Sequence, residues 1–457
     1  MEYNLGTPNP KQEIFLTDTH RHVAFGGARG GGKSWAIRVK AVILACLYPG
    51  IKIMIIRRTY PELLANHVRP FKQMLKIGTK ACPIKYKESE KIMTFPNGST
   101  ILFGYCQTES DTDRYQGTEV DILFIDEATQ LTQQQIEDLN ACVRSTNPNF
   151  PLRTYYTCNP GGKGHGYIKR LFVDRDFIND EDPDDYAFIQ SRVYDNTELM
   201  TAHPEYIKTL ENLPEAKRLA WLEGRWDVFV GQVFSEWRNN YEGYATRLNT
   251  HVIDDFEIDD SWKVYRGFDY GYAKPFAVVW IAVDHNNRLY VIREYYGCTS
   301  QPDTGVEMEP TEIARRIKEI EATDPVLMRH KCIGIADPAI WQKTTGESIS
   351  QLMERERVTF MKGDNTRLAG LMQLHYRLRF NDNGIPMLYV FKSCKNVIRT
   401  IPTLIYDEKK PEEVDTTLED HLYDAIRYVC MENPINPQQQ RVWHPPKDDP
   451  LDLYKMY

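Results

Sequence analysis

The run Gly27-Ala28-Arg29-Gly30-Gly31-Gly32-Lys33-Ser34 leaves this chain fewer folds than any other part of it. It follows the apolar segment Val23-Ala24-Phe25 and precedes a helix-like stretch from Trp35 to Leu47. Strand, glycine-rich loop and helix in that order make a phosphate cradle. The glycines let backbone N–H groups converge on phosphate oxygens, Lys33 reaches the outer phosphates, and the Ser34 hydroxyl ligates Mg2+. The expected ligand is a nucleoside triphosphate with Mg2+, and the expected surroundings are an α/β domain.

The pattern continues downstream. Ile51 to Arg57, Ser99 to Gly104, Ile122 to Ile125 and Thr154 to Thr157 are strand-like and alternate with helical stretches, which implies a mainly parallel sheet. The chain has 457 residues, enough for two or three domains. We expect a P-loop ATPase domain over residues 1–195 and a linking subdomain over 196–260, where the sequence turns first helical and charged, then irregular and aromatic. A second α/β domain is expected over 261–433: Trp262 to Asp269, Phe276 to Asp284 and Leu289 to Tyr296 read as strands, followed by a helix around Thr311 to Glu321 and a strand at Cys332 to Ala336. The last stretch, 434–457, is rich in Pro, Gln and Asp and reads as a flexible tail.

Composition, 42% hydrophobic and 26% charged, is that of a globular protein without a membrane partner, since no apolar run approaches a bilayer span. The N-terminus lacks the regions of a signal peptide, so the expected compartment is cytoplasmic. Nine cysteines occur without a C-x-x-C pair, which suggests neither zinc nor a disulfide framework. A net charge of -8 argues against a protein that coats nucleic acid but leaves room for a local basic channel. Lys163, His165, Lys169 and Arg170, or Lys392, Lys395 and Arg399, are candidate linings, each reading first as solvated surface.

Ile122-Leu123-Phe124-Ile125-Asp126-Glu127 is an apolar strand ending in two acids. Downstream of a phosphate loop, this pair assigns Asp126 to the metal, through water, and Glu127 to the attacking water as general base. Arg29, inside the loop, and Arg114, upstream of the acidic strand, are candidates for a guanidinium that stabilises transition-state charge, in cis and in trans respectively. Thr157-Cys158-Asn159-Pro160 closes another strand, with Thr157 and Asn159 suited to sensing the outer phosphate and coupling hydrolysis to movement.

In the C-terminal half, Asp269 and Asp337 each end a strand, and Asp424 lies in the helix-like run Leu418 to Val429. Carboxylates of this kind suit Mg2+ or Mn2+, two of which can drive phosphodiester cleavage. On that helix Asp420 and Asp424 stand at i, i+4, with His421 three residues before Asp424, so Asp420 and His421 are additional candidate ligands.

Gln12, the loop with its internal arginine, Asp126-Glu127-Ala128 and Thr157 to Pro160 together resemble the large terminase subunit of tailed bacteriophages. The resemblance runs from Gln12 to Asp424 and implies an ASCE-type P-loop domain followed by an RNase H-like nuclease domain. It implies that Gln12 contacts adenine, that Arg29 is the cis finger, and that Asp269, Asp337 and Asp424 form the nuclease triad, with His421-Leu422-Tyr423-Asp424-Ala425 matching a His-x-x-Asp-Ala signature. The expectation is an ATP- and Mg2+-dependent motor that drives double-stranded viral DNA into a procapsid and cuts concatemers with two Mg2+ or Mn2+ ions. Its implied partners are a small terminase subunit and the portal protein, in a homo-oligomeric, pentameric ring. It would act in the cytoplasm of the infected host and be absent from the mature virion. Where relatives often carry another acid after the first aspartate, this chain has Lys274. The competing reading is an ATP-dependent helicase or remodelling protein whose C-terminal domain binds DNA without cutting it.

Overall fold

Short β-branched runs alternating with helices build two α/β units in the computed structural model, which describes residues 5–435 apart from 81, 179, 204, 214, 228–230, 300 and 408. One unit comprises the chain up to Ser235 with Cys298–Thr304 and Arg399–Asp420; the other comprises Glu236–Gly297, Gly305–Ile398 and the chain from His421 onward. Residues 196–260 are thus divided between the units at 235. From residue 436 the expected tail lies outside the described residues.

In the first unit an eight-stranded sheet holds β1 (His22–Gly27), β2 (Lys52–Arg57), β3 (Lys85–Lys87), β4 (Ile92–Thr94), β5 (Thr100–Tyr105), β6 (Ile122–Ile125), β7 (Arg153–Cys158) and β8 (Tyr186–Ser191). Their order is β3-β4-β5-β2-β6-β7-β1-β8. From β5 to β8 every pairing is parallel, while β3 and β4 extend the edge as an antiparallel hairpin. Helices cover both faces, so a central strand such as β6 is apolar and buried along its whole length. The helix α2 (Lys33–Leu47) buries Ala36, Ile37, Ala41, Val42 and Ala45 in the core that also holds Phe25, Ile53, Phe124 and Tyr155. Because β7 lies between β1 and β6, the sheet has the ASCE-type P-loop order. Parallel strands also deliver all their carboxyl ends to one edge. Gly27, Arg57, Asp126 and Asn159 all stand at or just beyond such ends.

The second unit is built on β9 (Val252–Ile253), β10 (Lys263–Asp269), β11 (Ala277–Val283), β12 (Leu289–Tyr296), β13 (Cys332–Ala336), a small hairpin of β14 (Lys343–Thr345) and β15 (Glu347–Ser348), then β16 (Met361–Lys362) and β17 (Leu388–Phe391). The main sheet runs β16-β13-β10-β11-β12-β17-β9. β10, β11 and β12 form an antiparallel meander, and β13 lies parallel to β10 on its other side, an RNase H-like arrangement. A helix, His421–Glu432, packs on β10 and β11. Its approach needs Gly267, since a Cβ there would lie 2.2 Å from the Ala425 carbonyl oxygen.

This helix corrects one expectation. It starts at His421, not Leu418, so Asp420 is not on its face one turn before Asp424. The preceding residues are committed to a turn: Asp415 Oδ1 accepts from the Thr417 amide and hydroxyl, and the Asp420 amide donates to Leu418 O at 2.8 Å.

Candidate active sites

At the carboxyl edge of the first sheet the chain turns from β1 into α2 through Gly32, whose φ of +73° places it in the left-handed region. Lys33, the first residue of α2, is buried and donates its ammonium to Ala28 O at 2.6 Å and Asn159 Oδ1 at 2.7 Å. The other end of the Asn159 amide donates to Glu127 Oε2 at 2.7 Å. A chain Lys33–Asn159–Glu127 therefore joins the phosphate-loop lysine to the candidate base. Burial lowers the Lys33 pKa, opposed chiefly by Glu127; burial, and then the charge of Asp126, raise that of Glu127.

Glu127 itself has φ +58°, a conformation that costs a non-glycine residue about 1–3 kcal/mol and persists where surrounding structure demands it. Its amide is anchored to Thr157 Oγ1 at 3.0 Å. The same hydroxyl donates to Asp126 Oδ1, so Thr157 spans the acid pair. Thr129 Oγ1 ties Asn159 O at 2.9 Å, fixing the neighbouring turn. Ser34 Oγ stands 3.4 Å from both oxygens of Asp126, bringing together the two groups assigned to Mg2+.

Asp126 has two further partners that the motifs did not reveal. Arg57, the last residue of β2, donates to Oδ2 at 2.6 Å, and the fully buried His67 Nε2 meets the same oxygen at 2.8 Å. Burial alone would raise the Asp126 carboxyl. His67, Arg57 and the Thr157 hydroxyl outweigh it and hold the group well below the usual carboxylate range. Position is the only signal for Arg57, which ends the strand beside β6. His67 sits on a π-helical turn, Leu64–Val68, that apolar periodicity does not encode.

Gln12 belongs to the helix α1 (Pro10–Thr17), where it forms a capping box with Asn9: Gln12 Oε1 accepts from Asn9 N at 2.8 Å, and Gln12 N donates to Asn9 Oδ1 at 2.9 Å. Its Nε2 donates to Gly32 O at 3.1 Å, fastening α1 to the loop. Arg29 stacks its guanidinium 3.5 Å from the centre of the Trp221 ring, and its amide donates to Trp221 O at 2.9 Å. Asn196 Nδ2 holds Gly30 O at 2.6 Å. Arg114 lies apart, paired with Asp111 and placed over the Tyr105 ring at 4.7 Å, with 48% of its side chain exposed.

Most of the basic residues named as possible channel linings, and read first as surface, are ion-paired. Lys163 pairs with Asp415, Lys169 with Asp174 and Arg170 with Glu181, while His165 is buried against Trp226. Lys392 pairs with Asp254, and Arg399 with Glu419.

In the second unit the parallel register Phe268↔Ala336 sets Asp269 and Asp337 side by side at the ends of β10 and β13. The Asp337 amide donates to Phe268 O at 3.2 Å, and its carboxylate caps Ala339 N at 2.8 Å. His421 Nδ1 meets Asp269 Oδ2 at 3.0 Å, and Asp424 Oδ1 accepts from Arg427 Nε at 2.8 Å. Burial, with Asp424 and Asp337 adding to it, pushes Asp269 up to about 6 against the His421 hydrogen bond. Tyr428, one turn beyond Asp424, feels all three carboxylates, which reinforce burial in raising its hydroxyl. Among the described residues no three His, Cys, Asp or Glu side chains converge as a ready metal-holding group. Nor is any helix of the described residues long and apolar enough to cross a membrane.

The chain is similar to several solved structures. With the large terminase of a thermophilic bacteriophage it shares 20% identity over 93% of this chain and 98% of that one, at a TM-score of 0.41. With the HK97 bacteriophage large terminase the figures are 11%, 93%, 94% and 0.48, and with the P22 large terminase nuclease domain 17%, 44%, 92% and 0.34. No curated protein matches it. Residues 19–221 match the family model of the phage terminase large subunit. That segment, which is similar to the phage large terminases, holds the phosphate loop, the acid pair and the Thr-x-Asn-Pro turn.

Proposed function

We propose that the chain is an ATP-hydrolysing subunit of a viral DNA-packaging motor that also cuts the DNA it packages. The observation that supports this reading is the Lys33–Asn159–Glu127 chain beside Asp126, which joins the lysine we assign to phosphate to the acid we assign as base in one hydrogen-bonded unit. Mg2+ with ATP fits the donors: Ser34 and Asp126 would hold the ion, which screens phosphate charge when bound. Asn159 and Lys33 orient the nucleotide and the base, and Glu127 takes the proton of the attacking water. Arg29 is the cis candidate for stabilising transition-state charge, and Arg114, half exposed, is available to a neighbouring subunit.

For the second unit we infer a metal-dependent endonuclease. Asp269, Asp337 and Asp424 supply hard oxygen donors, and Asp424 and Asp337 add to the burial that raises the proton affinity of Asp269, an environment a divalent cation would relieve. Mg2+ or Mn2+ held by these carboxylates would supply activated water for phosphodiester cleavage. His421 orients Asp269 through its hydrogen bond, and Asp420, buried just before the helix, stays a secondary candidate. The substrate is double-stranded viral DNA, delivered by a small terminase subunit to a pentameric ring of this chain on the portal, in the host cytoplasm.

The test is DNA encapsidation into matched empty procapsids with ATP. Wild type should protect DNA from added nuclease while Glu127→Gln, still able to bind ATP, should not. Packaging by the variant at the wild-type rate would refute the assignment of the base, and absence of packaging by an active wild-type ATPase would refute the motor.

A further inference from the structure

Asp126 is buried and ionised, and its Oδ2 already carries a cation: Arg57 Nη1 at 2.6 Å, with His67 Nε2 at 2.8 Å on the same atom. Its Oδ1 takes the Thr157 hydroxyl. A carboxylate so crowded has little left for Mg2+, unless one partner can leave. Thr157 is bound into the acid pair, and His67 is enclosed by its π-helical turn with Nδ1 buried and unpartnered. Arg57 differs, because its Nε lies only 3.7 Å from Glu62 Oε2, a carboxylate 42% exposed at the start of the same helical segment. That segment is laced to the site: Arg38 Nη1, from α2, donates to Asn66 O at 2.6 Å, and Asn66 Nδ2 donates to Glu62 O at 2.8 Å.

We infer that Arg57 is a positioning residue that stands in for the metal: it neutralises Asp126 when no Mg2+ is present and transfers to Glu62 when Mg2+ arrives with the nucleotide. A guanidinium suits the exchange, since it stays charged in either place and can satisfy one carboxylate or bridge two. The transfer shifts charge onto the segment from Tyr60 to Met74, whose π-helical turn carries His67, so metal occupancy is read out away from the nucleotide. This rests on the reading of Asp126 as the Mg2+-bearing acid.

Nucleotide binding by the full chain, measured with and without Mg2+, tests it. In Arg57→Gln the buried Asp126 lacks its resident cation, so binding of metal-free ATP in EDTA should weaken about tenfold or more relative to binding of MgATP, on the scale of a lost charged hydrogen bond. Arg57→Lys should restore most of that ratio. Glu62→Gln removes the acceptor of the transfer; it should raise the Mg2+ concentration for half-maximal ATP turnover about three- to tenfold while leaving metal-free ATP binding unchanged. Equal loss of both binding modes in Arg57→Gln, with no recovery in Arg57→Lys, would mean a merely structural arginine. An unaltered Mg2+ requirement in Glu62→Gln would overturn the transfer. A wild-type chain that binds no MgATP would defeat the nucleotide-site reading itself, a result distinct from either.

Discussion

Asn159→Ala is the most direct probe of the hydrolysis site, because one amide serves two charged groups. Its removal deletes the buried 2.7 Å bond from Lys33 and the part-buried 2.7 Å bond to Glu127. Hydrogen bonds to charged groups contribute about 1.5–3 kcal/mol each. Lys33 keeps Ala28 O as an acceptor, so the low end applies, and the nucleotide-free protein should lose about 3 kcal/mol. MgATP should return part of this in denaturant titrations, since phosphate gives Lys33 a new partner. The kinetic effect should fall on kcat, by about 10²-fold, at the low end of what a positioned general base contributes. KM for ATP should move less than about threefold, because the loop backbone still holds the phosphates. A double-mutant cycle sharpens the test: if Asn159 works by orienting Glu127, adding Asn159→Ala to Glu127→Ala should cost almost nothing further in kcat. Full additivity of the two losses, or an Asn159→Ala enzyme within about threefold of wild-type kcat, would refute the linkage.

Other perturbations have equally definite outcomes. Gly267→Ala should drive the helix His421–Glu432 off β10, since its Cβ has 2.2 Å to the Ala425 oxygen; a loss of about 1–3 kcal/mol and of plasmid nicking is expected, with ATP turnover retained. Asp337→Ala in the full chain should abolish Mn2+-dependent nicking without altering thermal stability by more than about 1 kcal/mol, because the side chain is partly exposed and caps one short turn; persistent nicking removes Asp337 from the triad. His251 Nδ1 accepts from Arg238 N and Nε2 donates to Leu378 O, and burial lowers its pKa from 6.5 to about 4. The unfolded chain then binds a proton the native one refuses, so stability is whole above about pH 6.5 and falls toward pH 4 by up to about 3 kcal/mol. His251→Gln should flatten that part of an unfolding-versus-pH curve.

What is legible in the sequence is what local chemistry demands. Backbone amides around a phosphate need glycines at set spacing, and a buried parallel strand needs an unbroken apolar run, so the loop, β6 and the turn at Asn159 can be read directly. The strand ends carrying Asp269 and Asp337 are legible for the same reason. The partners of Asp126 are not: Arg57 becomes one through strand order and His67 through a helical defect, and neither leaves a periodic trace. Trp221 stands almost two hundred residues from the arginine it covers. The helix bearing Asp424 starts three residues earlier in the sequence reading because Leu418 fits its apolar stripe, whereas hydrogen bonding around Asp415 diverts the backbone there. Long-range pairing decides such cases, and a single sequence is silent about it.

The two-ended tethering of Gln12 has a thermal consequence. Its carbonyl and its amino group are both committed, one to the first turn of α1 and one to Gly32 O. Each end keeps one further hydrogen-bonding position, so if Gln12 reads the nucleobase as we propose, the helix terminus and the loop set the orientation of the amide that does so, and base selectivity is coupled to fraying of that terminus. Discrimination between adenine and guanine nucleotides should therefore vary with temperature in step with amide exchange at the start of α1, and sequence changes at Asn9, the capping partner of Gln12, should tune it.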